Sequence, residues 1–260
     1  MDLARSEWMA LALARLMRDG DRVSIGTNLP VARAAALLAK LTHAPNLVLY
    51  LGMAEVADLP GAPIDFTGLA GAASGARKHW RLEEFFGVAT QVDFFVVGGL
   101  QIDPYGNTNL LGIGDPGLPI EERYRQRTLL GPGTIGTATM TTCAGRYVLF
   151  VPDHQPRAFV EQLAFRSTCG WGTDGREREG LGLPGGGPVA CVTDLGLFDY
   201  PAPRHRMRIV RPFPGVDYST IAARTGFAVD RPQKLQEFAG PSPLELATLR
   251  ERVDPGGLLR

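Results

Sequence analysis

The stretch Asp93–Asn109 constrains the fold more than any other part of this chain. It reads Asp-Phe-Phe-Val-Val-Gly-Gly-Leu-Gln-Ile-Asp-Pro-Tyr-Gly-Asn-Thr-Asn. The uncharged apolar run Phe94–Val97 predicts a strand buried on both faces, as in a parallel sheet covered by helices. A Gly pair ends the run, and Pro-Tyr-Gly-Asn is turn chemistry. A rigid element therefore delivers Gln101, Asp103, Asn107 and Asn109 to one end of a sheet, which in α/β proteins is where ligands bind.

The surrounding sequence repeats the pattern. Met9, Ala12, Leu13, Leu16 and Met17 recur at helical spacing and predict an amphipathic first helix, ended by Asp19-Gly20. Arg22–Gly26 predicts a short strand. A helix follows, with Asn28 before it and Pro30 in its first turn. Leu47–Leu51 predicts a second buried strand, so strand–helix–strand with short connections implies a parallel pair and a right-handed crossover. Residues 52–80 are irregular and rich in Gly, Ala and Pro. Arg81–Phe86 predicts a short helix, and a loop runs from the Phe94 strand to about Arg127. Gly131-Pro-Gly-Thr-Ile-Gly opens a further helix. Strands are predicted at Tyr147–Val151, Val189–Thr193 and Met207–Val210, a helix at Tyr218–Thr225, and a capping box at Ser242-Pro-Leu-Glu245. Alternating strands and helices give an α/β layered fold. With no repeat and no linker in view, residues 1–260 read as one domain.

Composition narrows the partners. The 27 basic and 27 acidic residues cancel, so no net field favours nucleic acid or an anionic membrane. No run approaches the roughly 20 apolar residues of a membrane span. The N-terminus, with Asp2, Arg5 and Glu7, does not read as a signal peptide. Cys143, Cys169 and Cys191 are odd in number and widely spaced, which favours reduced, buried thiols and offers no metal spacing. The expectation is a cytoplasmic globular protein with no metal.

Several segments carry candidate chemistry. Gly26-Thr27-Asn28-Leu-Pro lies between strand and helix, where backbone amides bind anions or carbonyl oxygens. An ordinary turn is the favoured reading for this motif alone. In Gly131-Pro-Gly133-Thr134-Ile135-Gly136, three glycines let a ligand approach the backbone and the helix end supplies amides for an oxyanion. A tight turn explains it equally well. The Gly170–Gly187 tract carries Trp171, Asp174, Arg176, Glu177, Arg178 and Glu179; a solvated loop of mutually paired charges is favoured over a mobile loop on a ligand. Arg77-Lys78-His79 suits phosphate groups, although exposed surface explains it more simply. Cys169 has no activating base nearby in sequence.

Taken together, these motifs resemble the β subunit of glutaconate CoA-transferase. The resemblance rests on Gly26-Thr-Asn-Leu-Pro, Gln101-Ile-Asp-Pro-Tyr-Gly-Asn-Thr-Asn, Gly131-Pro-Gly-Thr-Ile-Gly, Gly170-Trp through Gly182-Leu-Pro, Val192-Thr-Asp-Leu-Gly and Asp254-Pro-Gly. It runs over essentially the whole chain. It implies the three-layer α/β/α fold of family I CoA-transferases with a mainly parallel sheet. It also implies a separate α subunit as partner in an α2β2 or larger assembly, a CoA thioester as substrate, and no permanently bound cofactor. Gly26, Thr27, Asn28 and Gly131, Gly133, Thr134, Ile135, Gly136 are the implied oxyanion or CoA-binding residues. Gln101, Asn107, Asn109 and Trp171 are the implied acyl or loop site.

In such transferases a β-subunit glutamate after the second strand attacks the thioester and forms an anhydride, which is nucleophilic catalysis by a carboxylate. The matching segment here is Leu47-Val-Leu-Tyr-Leu-Gly52, so the resemblance places Tyr50 at that position. A phenol with a pKa of about 10 is a poor substitute. Glu55 lies five residues on and approaches only if the loop differs. Members of the family without the glutamate include a ring-opening hydrolase and a decarboxylase of CoA esters. The expectation is a non-transferase branch in which Tyr50 lines the acyl pocket or donates to an enolate. The alternatives are a transferase using Glu55 and a scaffolding subunit that completes its partner's site.

Overall fold

The computed structural model of the chain describes residues 3–26, 29–51, 54–56, 76–134 and 136–260. It divides into two compact units, Met1–Val97 with Ala239–Arg260, and Gly98–Phe238.

The first unit is built on strands β1 (Arg22–Ile25), β2 (Val48–Leu51), β3 (Ala54–Val56), β4 (Lys78–His79) and β5 (Phe94–Val97). Their order is β5-β1-β2-β3-β4. β5, β1 and β2 are parallel, whereas β3 and β4 fold back antiparallel at the edge. All four residues of β5 are buried, as an uncharged run predicts. Helix α1 (Arg5–Ala14) packs against α2 (Pro30–Thr42). Pro30 occupies the first helical turn of α2, where its missing N–H costs nothing.

Helix α1 differs from the amphipathic expectation, because every residue from Glu7 to Ala14 is buried. Its polar member is accommodated by pairing. Arg250 donates to both Glu7 carboxylate oxygens at 2.7 and 3.0 Å, and the Ala4 amide donates to Oε2 at 2.9 Å. Burial alone would raise the Glu7 carboxyl, but these partners hold it below its usual range. The capping box is present as predicted, with Ser242 Oγ accepting from the Glu245 amide and Glu245 Oε2 from the Ser242 amide.

The second unit is centred on β10 (Arg146–Val151) and β11 (Pro188–Thr193), which are parallel. The strands β12 (Gly196–Asp199) and β13 (Arg208–Pro212) follow antiparallel. The expected loop from residue 98 to about 127 carries structure of its own. It contains a hairpin of β6 (Gln101–Ile102) with β7 (Thr108–Asn109), strand β8 (Gly112–Ile113) and the helix Ile120–Arg125. β8 then pairs with β9 (Leu129–Leu130) just beyond that span. Two-residue strands are too short to show alternation. Among the described residues no helix is long and apolar enough to cross a membrane.

Candidate active site

The antiparallel return of β3 sets the geometry of the first unit's strand end. Register pairs Phe95 with Ser24, Ser24 with Tyr50, Tyr50 with Glu55, and Glu55 with Lys78. Residues directly opposite one another share a face of the sheet, so these five side chains form one row. The row passes from buried Phe95, Ser24 and Tyr50 through half-buried Glu55 to exposed Lys78. Glu55, expected to approach Tyr50 only through a different loop, is its cross-strand neighbour. The turn residues Gly52 and Met53 lie outside the described residues.

Tyr50 is 3% exposed and meets Trp80 edge-to-face, with ring centroids 5.2 Å apart. Burial, reinforced by the Glu55 charge, pushes its phenol above the ordinary tyrosine range. The hydroxyl therefore keeps its proton at neutral pH and is a hydrogen-bond donor rather than a phenolate.

The Gly26 amide donates to Val96 O at 3.1 Å, extending the β1–β5 ladder, so this N–H is engaged within the sheet. Thr27 and Asn28 lie outside the described residues. Lys78 and His79 of the cationic trio lie exposed on edge strand β4.

In the second unit the Gly131–Gly136 loop is held by its first half. Gly131 N donates to Leu111 O at 2.8 Å and Gly133 N to Leu110 O at 3.0 Å. A Cβ at Gly131 would collide with the Leu110 carbonyl, and Gly133 has φ +86°, so both positions require glycine. Gly136, with φ +79°, leads into the helix Thr137–Cys143. No hydrogen bond among the described residues uses the amides of Thr134 or Gly136. Ile135 lies outside those residues.

The polar turn that follows β5 is engaged internally. Gln101 Oε1 accepts from Asn109 Nδ2 at 2.7 Å and from the Ala164 amide at 3.0 Å. Asn109 Nδ2 also donates to Gly112 O, and its Oδ1 accepts from the Leu111 amide. Asn107 Oδ1 accepts from the amides of Gly170 and Gly172 at 2.8 and 3.2 Å. Its Nδ2 donates to Asp103 Oδ2 and Gly172 O at 2.6 and 2.8 Å. Burial pushes the Asp103 carboxyl up to about 6, against the hydrogen bonds it accepts from Asn107 and Tyr105. It borders a cleft of about 690 Å³ with Tyr105, Arg166, Thr173 and Glu177. Trp171 donates from Nε1 to Pro188 O at 3.0 Å and stacks on His205 at 3.6 Å.

The charges of the Gly170–Gly187 tract correct the sequence expectation. Asp174, Arg176 and Glu179 are exposed, and Glu177 pairs with Arg166 through two bonds of 2.7 and 2.8 Å. Arg178, however, is 2% exposed. Its guanidinium donates to the carbonyls of Gly185, Cys169, Thr141 and Thr142. A buried guanidinium is tolerated when its donors are met, and here backbone carbonyls meet them. Burial raises the Cys169 thiol above its ordinary value, in keeping with an unactivated cysteine.

No family model matches the chain. It is 31% identical over 248 residues to the β subunit of 3-oxoadipate CoA-transferase of Pseudomonas knackmussii, covering 94% of this chain and 91% of that protein. The β subunit of glutaconate CoA-transferase of Acidaminococcus fermentans is 30% identical over 261 residues, covering 96% and 92%. The cholesterol ring-cleaving hydrolase IpdB subunit of Mycobacterium tuberculosis is 30% identical over 255 residues, covering 98% and 96%. Among solved structures, glutaconate coenzyme A-transferase from Acidaminococcus fermentans superposes with a TM-score of 0.85 at 25% identity, over 99% of this chain and 98% of that one. The decarboxylase AibA/AibB gives 0.82 at 26% identity, with the same coverage. The fold is thus the α/β fold of the CoA-transferases. By sequence, the chain belongs to the family of CoA-transferase β subunits.

Proposed function

We propose that this chain is the β subunit of a heteromeric cytoplasmic enzyme that processes an acyl-CoA thioester without transferring CoA. The reaction class is hydrolytic ring opening, carbon–carbon cleavage or decarboxylation. One observation carries this reading. At the end of β2, where the family resemblance puts a nucleophilic glutamate, stands a buried, protonated phenol. A phenol of raised pKa is a poor nucleophile, but it suits donation to an oxygen that gains negative charge. Carbon–carbon cleavage and decarboxylation next to a thioester both leave electrons on the acyl chain as an enolate. The Tyr50 hydroxyl would stabilise that oxygen.

The relatives support the same branch, since one is named a ring-cleaving hydrolase and a structural neighbour a decarboxylase. The CoA thioester is the substrate, and no permanent cofactor is invoked. The partner is a separate α subunit, as the paired name AibA/AibB describes for that enzyme, in an α2β2 or larger assembly. In the second unit we assign the Thr134 and Gly136 amides to binding a substrate oxygen. Gln101, Asn107 and Asn109 we assign to holding the loops.

The register of β2 against β3 favours a second reading. Glu55 stands opposite Tyr50, so its carboxylate is a candidate to attack the thioester carbonyl, expelling CoA thiolate and forming an acyl anhydride. The assembled two-subunit complex distinguishes the two. Cleavage or decarboxylation of the acyl chain of a β-oxo-acyl-CoA with no acceptor carboxylate, the thioester staying intact, supports the first reading. CoA release that strictly requires a second carboxylic acid supports the second. Undiminished turnover in Tyr50→Phe would remove this phenol from the chemistry and leave the chain a scaffolding role.

A further inference from the structure

Trp80 follows edge strand β4 and is 8% exposed. Its ring is well surrounded, with Tyr50 edge-to-face at 5.2 Å, Phe85 tilted at 6.1 Å, and the Lys78 ammonium 5.3 Å from the ring centroid. Its polar edge is not. The indole Nε1 is buried and has no hydrogen-bond partner among the described residues. An indole nitrogen is a donor only, and buried tryptophans ordinarily find an acceptor for it. Leaving such a group unpaired is costly, so an idle N–H beside Tyr50 needs an explanation.

We propose that the Trp80 N–H binds an acceptor oxygen on the acyl chain of the substrate. It thereby selects acyl groups bearing a keto or carboxylate oxygen over plain alkyl chains. This rests on the reading that Tyr50 marks the acyl-CoA site. It goes beyond that reading by naming a residue that sets the choice of acyl chain. A neutral donor in a buried aromatic setting suits this role. It meets an oxygen without supplying a proton, and it penalises a chain that offers no acceptor.

The test uses the assembled two-subunit complex and two thioesters of equal chain length. One is 3-oxoadipyl-CoA, with a keto group and a carboxylate, and the other is hexanoyl-CoA, with neither. The wild type should bind 3-oxoadipyl-CoA at least about tenfold more tightly, and Trp80→Phe should reduce that preference about tenfold. Trp80→Phe also shrinks a buried ring and so lowers the unliganded thermal midpoint by itself. Incorporating 3-benzothienylalanine in place of Trp80 keeps the ring shape without the N–H. It should reduce the preference alike and leave the unliganded midpoint unchanged, because the lost N–H had no partner among the described residues. An unchanged preference overturns the inference. So does a lowered unliganded midpoint in the 3-benzothienylalanine protein, which would reveal a protein acceptor. Equal binding of both thioesters by the wild type overturns it while leaving the proposed function standing. If the wild type binds neither thioester, the proposed function fails and takes the inference with it.

Discussion

The β2–β3 hairpin and the Gln101–Asn109 turn both continue from apolar strands, yet they use their hydrogen-bonding groups in opposite ways. In the turn, Gln101, Asn107 and Asn109 spend their side-chain groups on neighbouring amides, carbonyls and Asp103. At the hairpin, Tyr50 is kept protonated and Glu55 stands across from it, and the N–H of Trp80, which packs on Tyr50 from beyond β4, is idle. The difference teaches that richness in polar residues does not mark a reactive site. Internally satisfied groups build scaffold, whereas functional groups left open at a strand end can meet a ligand.

The largest effect that would break this contrast lies in the turn. Asn107→Ala should destabilise the second unit by about 3–4 kcal/mol, since it strands two buried amides and one Asp103 oxygen. Urea unfolding followed by fluorescence would measure it. A loss under about 1 kcal/mol would mean that water replaces the side chain and that the network is not structural. Next comes Tyr50→Phe in the two-subunit complex, which should lower kcat about 100-fold, or roughly 2.7 kcal/mol. Its unfolding midpoint should stay near the wild-type value. Stability and rate should thus respond to different regions.

A smaller effect follows from Asp103. Its carboxyl, ordinarily at 3.8, is raised to about 6 by burial. Protonation therefore favours the folded state. The stabilising contribution is fully present below about 3.8 and is lost as pH rises through about 6. Between pH 4 and 7 the wild type should lose up to about 3 kcal/mol relative to Asp103→Asn. Parallel urea titrations of the two proteins would read that difference. A flat difference would show that the carboxyl is well solvated.

Much of the frame was legible because it is local. Apolar runs announced β2 and β5, Pro30 marked the start of α2, and Ser242 with Glu245 spelled the cap of the last helix. Three features were hidden. β3 has three residues and no periodicity, so its pairing with β2 is visible only as register in space. Helix α1 looked amphipathic because heptad-like apolar spacing says nothing about its other face. That face is buried too, with Glu7 met by Arg250 from the far end of the chain. Arg178 looked like surface charge because two of its four carbonyl partners, on Thr141 and Thr142, lie 37 and 36 residues earlier. For Glu7 and Arg178 the deciding partner is distant in sequence.

The central claim is that the carboxylate beside Tyr50 forms no covalent intermediate with the acyl group. Incubating the two-subunit complex with a turned-over acyl-CoA, quenching with hydroxylamine or borohydride, and mapping residue 55 by peptide mass spectrometry tests it directly. The account predicts unmodified Glu55 while the acyl chain is cleaved or decarboxylated and the thioester stays intact. A hydroxamate or a reduced alcohol at Glu55, formed only with the thioester present, would contradict it and make the chain a CoA-transferase.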